Sequence, residues 1–203
     1  MPSYLGEYEG GATDRGKKFI RAVDSYIYQS PHNIKKELII VSDGCPDTIN
    51  IYNNTNRWHK NTYSIKLIEI PKSELFSGEV RQKAIENATG DIICYLDTDD
   101  FFGNWHLLNI LSAFQNGVDW IYFNYYQYWG KTISAVVFNT QLKHEQIGTS
   151  AIAHKRLLNV SWTGCNGYGH DWQFIEQLLK YSSHIKTYGC EYFVGHVKGV
   201  TDY

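Results

Sequence analysis

Apolar residues recur every three to four positions through DRGKKFIRAVDSYIYQ, where Phe19, Val23 and Ile27 fall on one helical face with Ile20 beside them. Asp14 stands where an N-cap is expected. The period then changes. KELIIVSDG carries a continuous apolar run, Leu38 to Val41, that ends in Ser-Asp-Gly, the pattern of a buried parallel strand entering a loop. PDTINIYNNTNRW predicts a helix, and SIKLIEIP a second strand closed by Pro71. SGEVRQKAIENATG places Val80, Ala84 and Ala88 at helical spacing and stops at Gly90. DIICYLD predicts a third buried strand.

Alternation of strand and helix up to residue 100 implies an α/β layer with right-handed crossovers. Beyond it, NWHLLNILSAFQNG predicts an amphipathic helix ending at Gly117, and DWIYFNYYQYWGKTISAVVF an antiparallel pair of strands around Trp129-Gly130. HDWQFIEQLLKYS predicts a last helix with Trp172, Ile175 and Leu179 on one face, followed by a short IKTYG strand and a Gly-punctuated tail. No repeat or linker interrupts the chain. One domain over 1–203 is expected, with a parallel-sheet half (1–103) and a mixed, aromatic-rich half (104–203).

Composition narrows the partners. The 203 residues are 43% hydrophobic and 20% charged, which is the balance of a folded globular chain. The net charge is −2 and no Lys/Arg run exceeds a pair or triplet, so nucleic acid is excluded as the main partner. Aromatics reach 15%, with 16 Tyr and 6 Trp, enough to fill a core or to line a site that stacks on flat or sugar-like rings. The four cysteines form no CxxC pair, and no signal peptide or apolar stretch of about 20 residues is present. Reduced thiols and a cytoplasmic location are the expectation.

Two acidic loops fall at predicted strand ends: Ser42-Asp43-Gly44, and Asp97-Thr98-Asp99-Asp100. Ligands of open α/β sheets bind at the carboxyl ends of the strands. Clustered carboxylates there suit a hard divalent cation shared with a diphosphate, although aspartates in such places also cap helices and make turns.

The blocks ELIIVSDGCPDT and SGEVRQKAIENATGDIICYLDTDD together resemble those of family 2 glycosyltransferases, which have the GT-A fold and transfer sugars from nucleotide sugars with inversion. The likeness is strongest from 37 to 103. It implies a mostly parallel central sheet flanked by helices, with a mixed C-terminal half. It implies a nucleotide-sugar pocket lined by Pro2 and Tyr4, with Asp43 bonding the base, usually uracil. Arg81 would lie near base and phosphates. Asp97 and Asp100 would contact the donor, and Asp99 would hold Mn²⁺ or Mg²⁺ with His196 completing the shell. Of the family's Ala-Arg-Asn-x-Gly block, Val80-Arg81-Gln82-Lys83-Ala84 keeps only the arginine.

The resemblance also makes Asp171 the general base that deprotonates the acceptor hydroxyl, with His170 in place of the family's glutamate. A carboxylate there is equally a good helix cap. Trp162, Gly164 and Tyr168 would form an acceptor wall, although packing aromatics look the same in sequence. The family's first apolar strand has no counterpart before Met1-Pro2, so a missing first strand is expected. The acceptor would be a glycan or a lipid-linked sugar, the latter placing the protein at a membrane surface. A non-catalytic nucleotide- or glycan-binding module and a nucleotidyltransferase are the alternative readings.

Overall fold

The computed structural model of the protein describes residues 1–8, 11–74, 77–115, 117–128, 135–167 and 169–195. Its strands are β1 (Pro2–Ser3), β2 (Leu38–Asp43), β3 (Ile65–Ile70), β4 (Ile92–Cys94), β5 (Phe101–Phe102), β6 (Trp120–Phe123), β7 (Tyr125–Tyr128), β8 (Ala135–Phe138), β9 (Ile152–Lys155), β10 (His184–Thr187) and β11 (Tyr192–Val194). Among the described residues the α-helices interleaved with them are α1 (Arg15–Ile27), α2 (Pro46–Asn54), α3 (Gly78–Glu86), α4 (His106–Phe114) and α5 (His170–Leu178).

The first half follows its sequence pattern closely. β2 is buried along all six residues and lies parallel between β1 and β3, as a continuous apolar run requires. On α1 the buried face holds Phe19, Val23 and Ile27 with Ala22 and Tyr26. Asp14 precedes this helix in a left-handed conformation, φ 52°, and its side chain makes no capping bond. The place of the first strand is taken by a short one. Met1 N donates to Ile39 O at 2.8 Å, Val41 N donates to Met1 O at 2.9 Å, and Pro2–Ser3 run parallel to Val41–Ser42.

Among the described residues no ladder joins β1 to β4, so the parallel sheet β1-β2-β3 and the four-stranded sheet β10-β6-β9-β4 stand as separate ladders. They share one core, in which Met1, Phe19 and Ile40 cluster with Leu96, Ile121 and Phe123. β4 differs from expectation. Its ladder neighbour is the antiparallel β9, a strand the sequence did not announce because AIAHK is short and ends in charge. The long apolar stretch after α4 is also divided. A break at Asn124, whose Oδ1 accepts from Thr140 N at 3.1 Å, sends β6 into one sheet and β7 into another. β7 and β8 are antiparallel as expected; the turn at Trp129-Gly130 lies outside the described residues. Sheet β5-β11-β7-β8 brings the C-terminal segment back against Phe101–Phe102.

The buried stripe of α5 is Phe174, Ile175 and Leu178, not Trp172, Ile175 and Leu179; Leu179 is exposed. Phe174 fixes this rotation by stacking on Trp162, centroids 4.1 Å apart and planes within 2°. The four cysteines are free thiols.

One core residue makes the fold sensitive to acid. His106 is 0% exposed, stacked on Phe102 at 4.2 Å and edge-on to Phe123 and Tyr192, and neither ring nitrogen has a partner. Burial pushes its pKa down to about 3, and that of the enclosed His154 to about 4. Unfolded histidines titrate near about 6.5. The unfolded chain therefore binds more protons between these values, and stability is complete above about pH 6.5 and falls as pH drops towards the folded values. Chemical denaturation at about pH 4.5 and pH 7 should show a loss on the order of several kcal/mol in acid, and His106→Phe should remove a large part of it. An unchanged pH slope in that variant would show that His106 does not stay neutral in the fold.

Candidate functional site

A cleft of about 570 Å³ opens where β1, β2 and β3 end and the loop after β4 begins. Its residues come from separate elements. Pro2 opens β1 and Tyr4 follows it, Asp43 closes β2, and Lys72 stands two residues past β3. Arg81 projects from α3, and Asp97 to Asp100 form the loop leaving β4. The ends of β2 and β4 thus deliver two acidic loops to one space.

At one end Asp43 is held on both oxygens. Oδ2 accepts from Lys72 Nζ at 2.5 Å and Oδ1 from Ser73 N at 2.6 Å. The Lys72 ammonium also lies 4.5 Å over the Tyr4 ring. Gly44 permits this closeness: at φ 59° it approaches the backbone of Lys72 so nearly that a Cβ would meet Lys72 N at 2.6 Å.

Arg81 occupies the centre and is only 5% exposed. Its Nη2 donates to both oxygens of Asp97, at 2.9 and 3.0 Å, and Nη1 donates to Ser77 Oγ. Asp171 Oδ1 is 3.8 Å away, and the guanidinium sits 5.2 Å over the Trp162 ring. Burial alone would lower the pKa of this cation, but Asp97 and then Asp171 raise it above the usual arginine value. Asp171, in the first turn of α5, accepts from Thr149 N at 3.2 Å through Oδ2. Its Oδ1 is buried without a hydrogen bond, 3.1 Å from His170 Nε2. The cleft lining ends at Arg81 and Ser150, and Asp171 stands just beyond it.

The acidic end is organised by the C-terminal strand. Asp100, 3% exposed, accepts from Tyr192 Oη and from Gly195 N, both at 2.8 Å. Tyr192 Oη in turn accepts from Asp97 N at 3.2 Å. Burial, then repulsion from Asp99 and Asp97, raises the Asp100 carboxyl well above its ordinary value. Arg81 already pairs with Asp97, and the carboxylates of Asp99 and Asp100 follow in the same loop. Such clustered hard oxygen donors fit a divalent cation such as Mn²⁺ or Mg²⁺. Among the described residues no group of three His, Cys, Asp or Glu is placed to enclose an ion. The fit is therefore to a cation whose other ligands come from water and a phosphate.

Of the residues expected from sequence, Pro2, Tyr4, Asp43, Arg81, Asp97, Asp99 and Asp100 all border this one cleft. Two of the acceptor-wall candidates do not fit that role. Trp162 is 0% exposed, pressed between Phe174 and Tyr95 beneath Arg81, so no face is open for a sugar. Gly164 sits in an exposed turn at φ 84° and does not line the cleft. Tyr168 and His196 lie outside the described residues. Sequence reasoning missed Lys72, Tyr192 and Arg15. Lys72 was within reach, since the strand-end rule applied to β2 applies equally to the residues after Pro71. Arg15, whose guanidinium lies 4.4 Å over the Tyr8 ring at the cleft, had no such signal.

No curated protein sequence matches the chain. Solved structures do. S. aureus TarS 1–349 in complex with UDP superposes with a TM-score of 0.71 at 15% identity, over 95% of this chain and 58% of that one. The same protein in complex with UDP-GlcNAc gives 0.69 at 15%, over 95% and 56%. The mannosyltransferase PcManGT from Pyrobaculum calidifontis, in complex with GDP-Man and Mn²⁺, gives 0.67 at 13%, over 98% and 56%. The chain spans somewhat over half the length of these structures, and at such identities the likeness shows the GT-A fold. The sequence profile described as Glycosyl transferase family 2 matches residues 13–159, from the start of α1 past β9 and through both acidic loops: the chain belongs to glycosyl transferase family 2.

Proposed function

We propose that this chain is an inverting, metal-assisted glycosyltransferase that moves a sugar from a UDP-linked donor to a hydroxyl acceptor on a glycan or a lipid-linked sugar. The observation that carries the reading is the gathering of Asp43, Arg81 and the Asp97–Asp100 loop around a single cleft. A nucleoside diphosphate needs a base site and a charge-compensated phosphate site at this separation of functions, and one cleft supplies both kinds of group.

Tyr4 and Asp43 receive the base, one through its ring face and the other through its carboxylate. Asp99, with Asp100 behind it, would hold the divalent cation, which would offset negative charge on the departing diphosphate. Arg81 keeps Asp97 in place and adds positive charge beside the phosphates. Asp171 takes the proton from the acceptor hydroxyl as that oxygen attacks the anomeric carbon, in one displacement. The position of Asp171 at the edge of the cleft, with Oδ1 3.8 Å from the Arg81 guanidinium, supports it as the base. Thr149 steadies the other oxygen. The TarS and PcManGT complexes with nucleotides and Mn²⁺ are consistent with the donor class.

Mn²⁺ together with UDP should raise the melting temperature by roughly 5 °C when UDP is about 100-fold above its Kd. Asp99→Ala should abolish the Mn²⁺-dependent part. Because the raised Asp100 carboxyl must lose its proton before it supports a cation, that shift should grow as the pH rises. No UDP binding at any pH would end the nucleotide-sugar reading.

Asp171→Asn should bind UDP as the parent does and lose about 10²–10⁴ in transfer or donor hydrolysis. Release of UDP from UDP-sugars is the assay. Turnover near the parent rate would remove Asp171 from the base role, and UDP binding with no turnover in the parent would favour a binding module.

A further inference from the structure

Lys72 belongs to no role assigned above, yet it is the positive charge nearest Asp43. Its Nζ lies 2.5 Å from Asp43 Oδ2 and 4.5 Å over the Tyr4 ring, while Ser73 N takes Asp43 Oδ1 at 2.6 Å. The placement is built in. Asp43 closes a fully buried strand, and Gly44, bonded to Ile70 O at 3.0 Å, packs directly against the Lys72 backbone.

We infer that Lys72 is a specificity-determining residue of the donor site, selecting a base whose ring N–H is flanked by an acceptor on both sides, and so uracil over guanine. The inference rests on the reading of the cleft as a nucleotide-sugar site. An ammonium has three donors and no acceptor, and an ionised carboxylate only accepts. Side by side, Lys72 and Asp43 display a donor next to an acceptor. The imide edge of uracil is acceptor–donor–acceptor, so its N–H meets Asp43 while a carbonyl meets Lys72, whichever carbonyl is turned that way.

Guanine presents a ring N–H flanked by one carbonyl and one amino group. Its strongest mode on a carboxylate uses both N–H groups on both oxygens. Here one oxygen already accepts from Lys72 and the other from Ser73 N, so in either orientation guanine's amino group faces a donor, the Lys72 ammonium or Ser73 N–H. Neutral cytosine and adenine have no ring N–H on that edge. Lys72 is half exposed, with 50% of its side chain in solvent, so it is free to shift from Asp43 towards a base carbonyl without disturbing the core. A buried polar edge left unmatched discriminates far more strongly than a missing apolar contact.

Isothermal titration of the protein with UDP, GDP, CDP and ADP, each with Mn²⁺, tests this. The parent should prefer UDP over GDP by about tenfold or more, as expected for a hydrogen bond from a charged donor. Lys72→Ala should bring the two within about threefold, mainly by weakening UDP. Lys72→Arg should keep most of the preference, because it keeps a positive donor. Lys83→Ala, which removes an exposed lysine paired with Glu86, controls for loss of charge and should change nothing. Equal affinity for UDP and GDP in the parent, or a preference that survives in Lys72→Ala, overturns the role of Lys72 while leaving nucleotide binding intact. Failure of every nucleotide to bind overturns the nucleotide-sugar reading itself, and this inference with it.

Discussion

A guanidinium taken out of water costs several kcal/mol unless it is paired and bonded, and Arg81 is almost wholly enclosed. The surroundings that make its burial tolerable come from four parts of the chain: Asp97 from the loop after β4, Ser77 from the start of α3, Trp162 from the loop before α5, and Asp171 with His170 from α5 itself. Each is drawn in by the same charge. The N-terminal half and the C-terminal half are thereby held together at the cleft. Removing any one acid would leave the cation underpaired in a low-dielectric place, which is why the aspartates on either side are not interchangeable with surface acids.

The acidic end is balanced differently. Asp100 is not neutralised by a cation but held by a buried tyrosine hydroxyl and a backbone amide from the far end of the chain. Those bonds fix its position without cancelling the repulsion of Asp99 and Asp97. The cleft therefore runs from Asp43 paired with Lys72, past Arg81 paired with Asp97, to Asp100 held by neutral donors.

Much of this was legible in the sequence. The buried strand Leu38–Asp43 announced itself by the apolar run Leu38 to Val41, which placed Asp43, and the separate run in DIICYLD placed the acids after Cys94. Helix α1 was legible from Phe19, Val23 and Ile27. Other elements carried no comparable signal. β9 is four residues long and β5 only two, and each is a strand because a neighbour offers a ladder, not because its residues demand one. On α5 both candidate stripes were apolar, and the stacking of Phe174 on Trp162 chose between them. That same stacking turned Trp162 from a candidate sugar platform into core.

What the sequence by itself determined is the set of local patterns and the family's acidic blocks, because periodicity and strand-end chemistry act over a few neighbouring residues. Which of those residues meet is a long-range matter. Arg81 and Asp171 are 90 positions apart, Asp100 and Tyr192 are separated by 92, and Lys72 reaches Asp43 only because parallel pairing of β2 and β3 brings their ends level. The tertiary structure decided these pairings, since charge, burial and ring stacking are settled by what surrounds a side chain and not by what adjoins it along the chain.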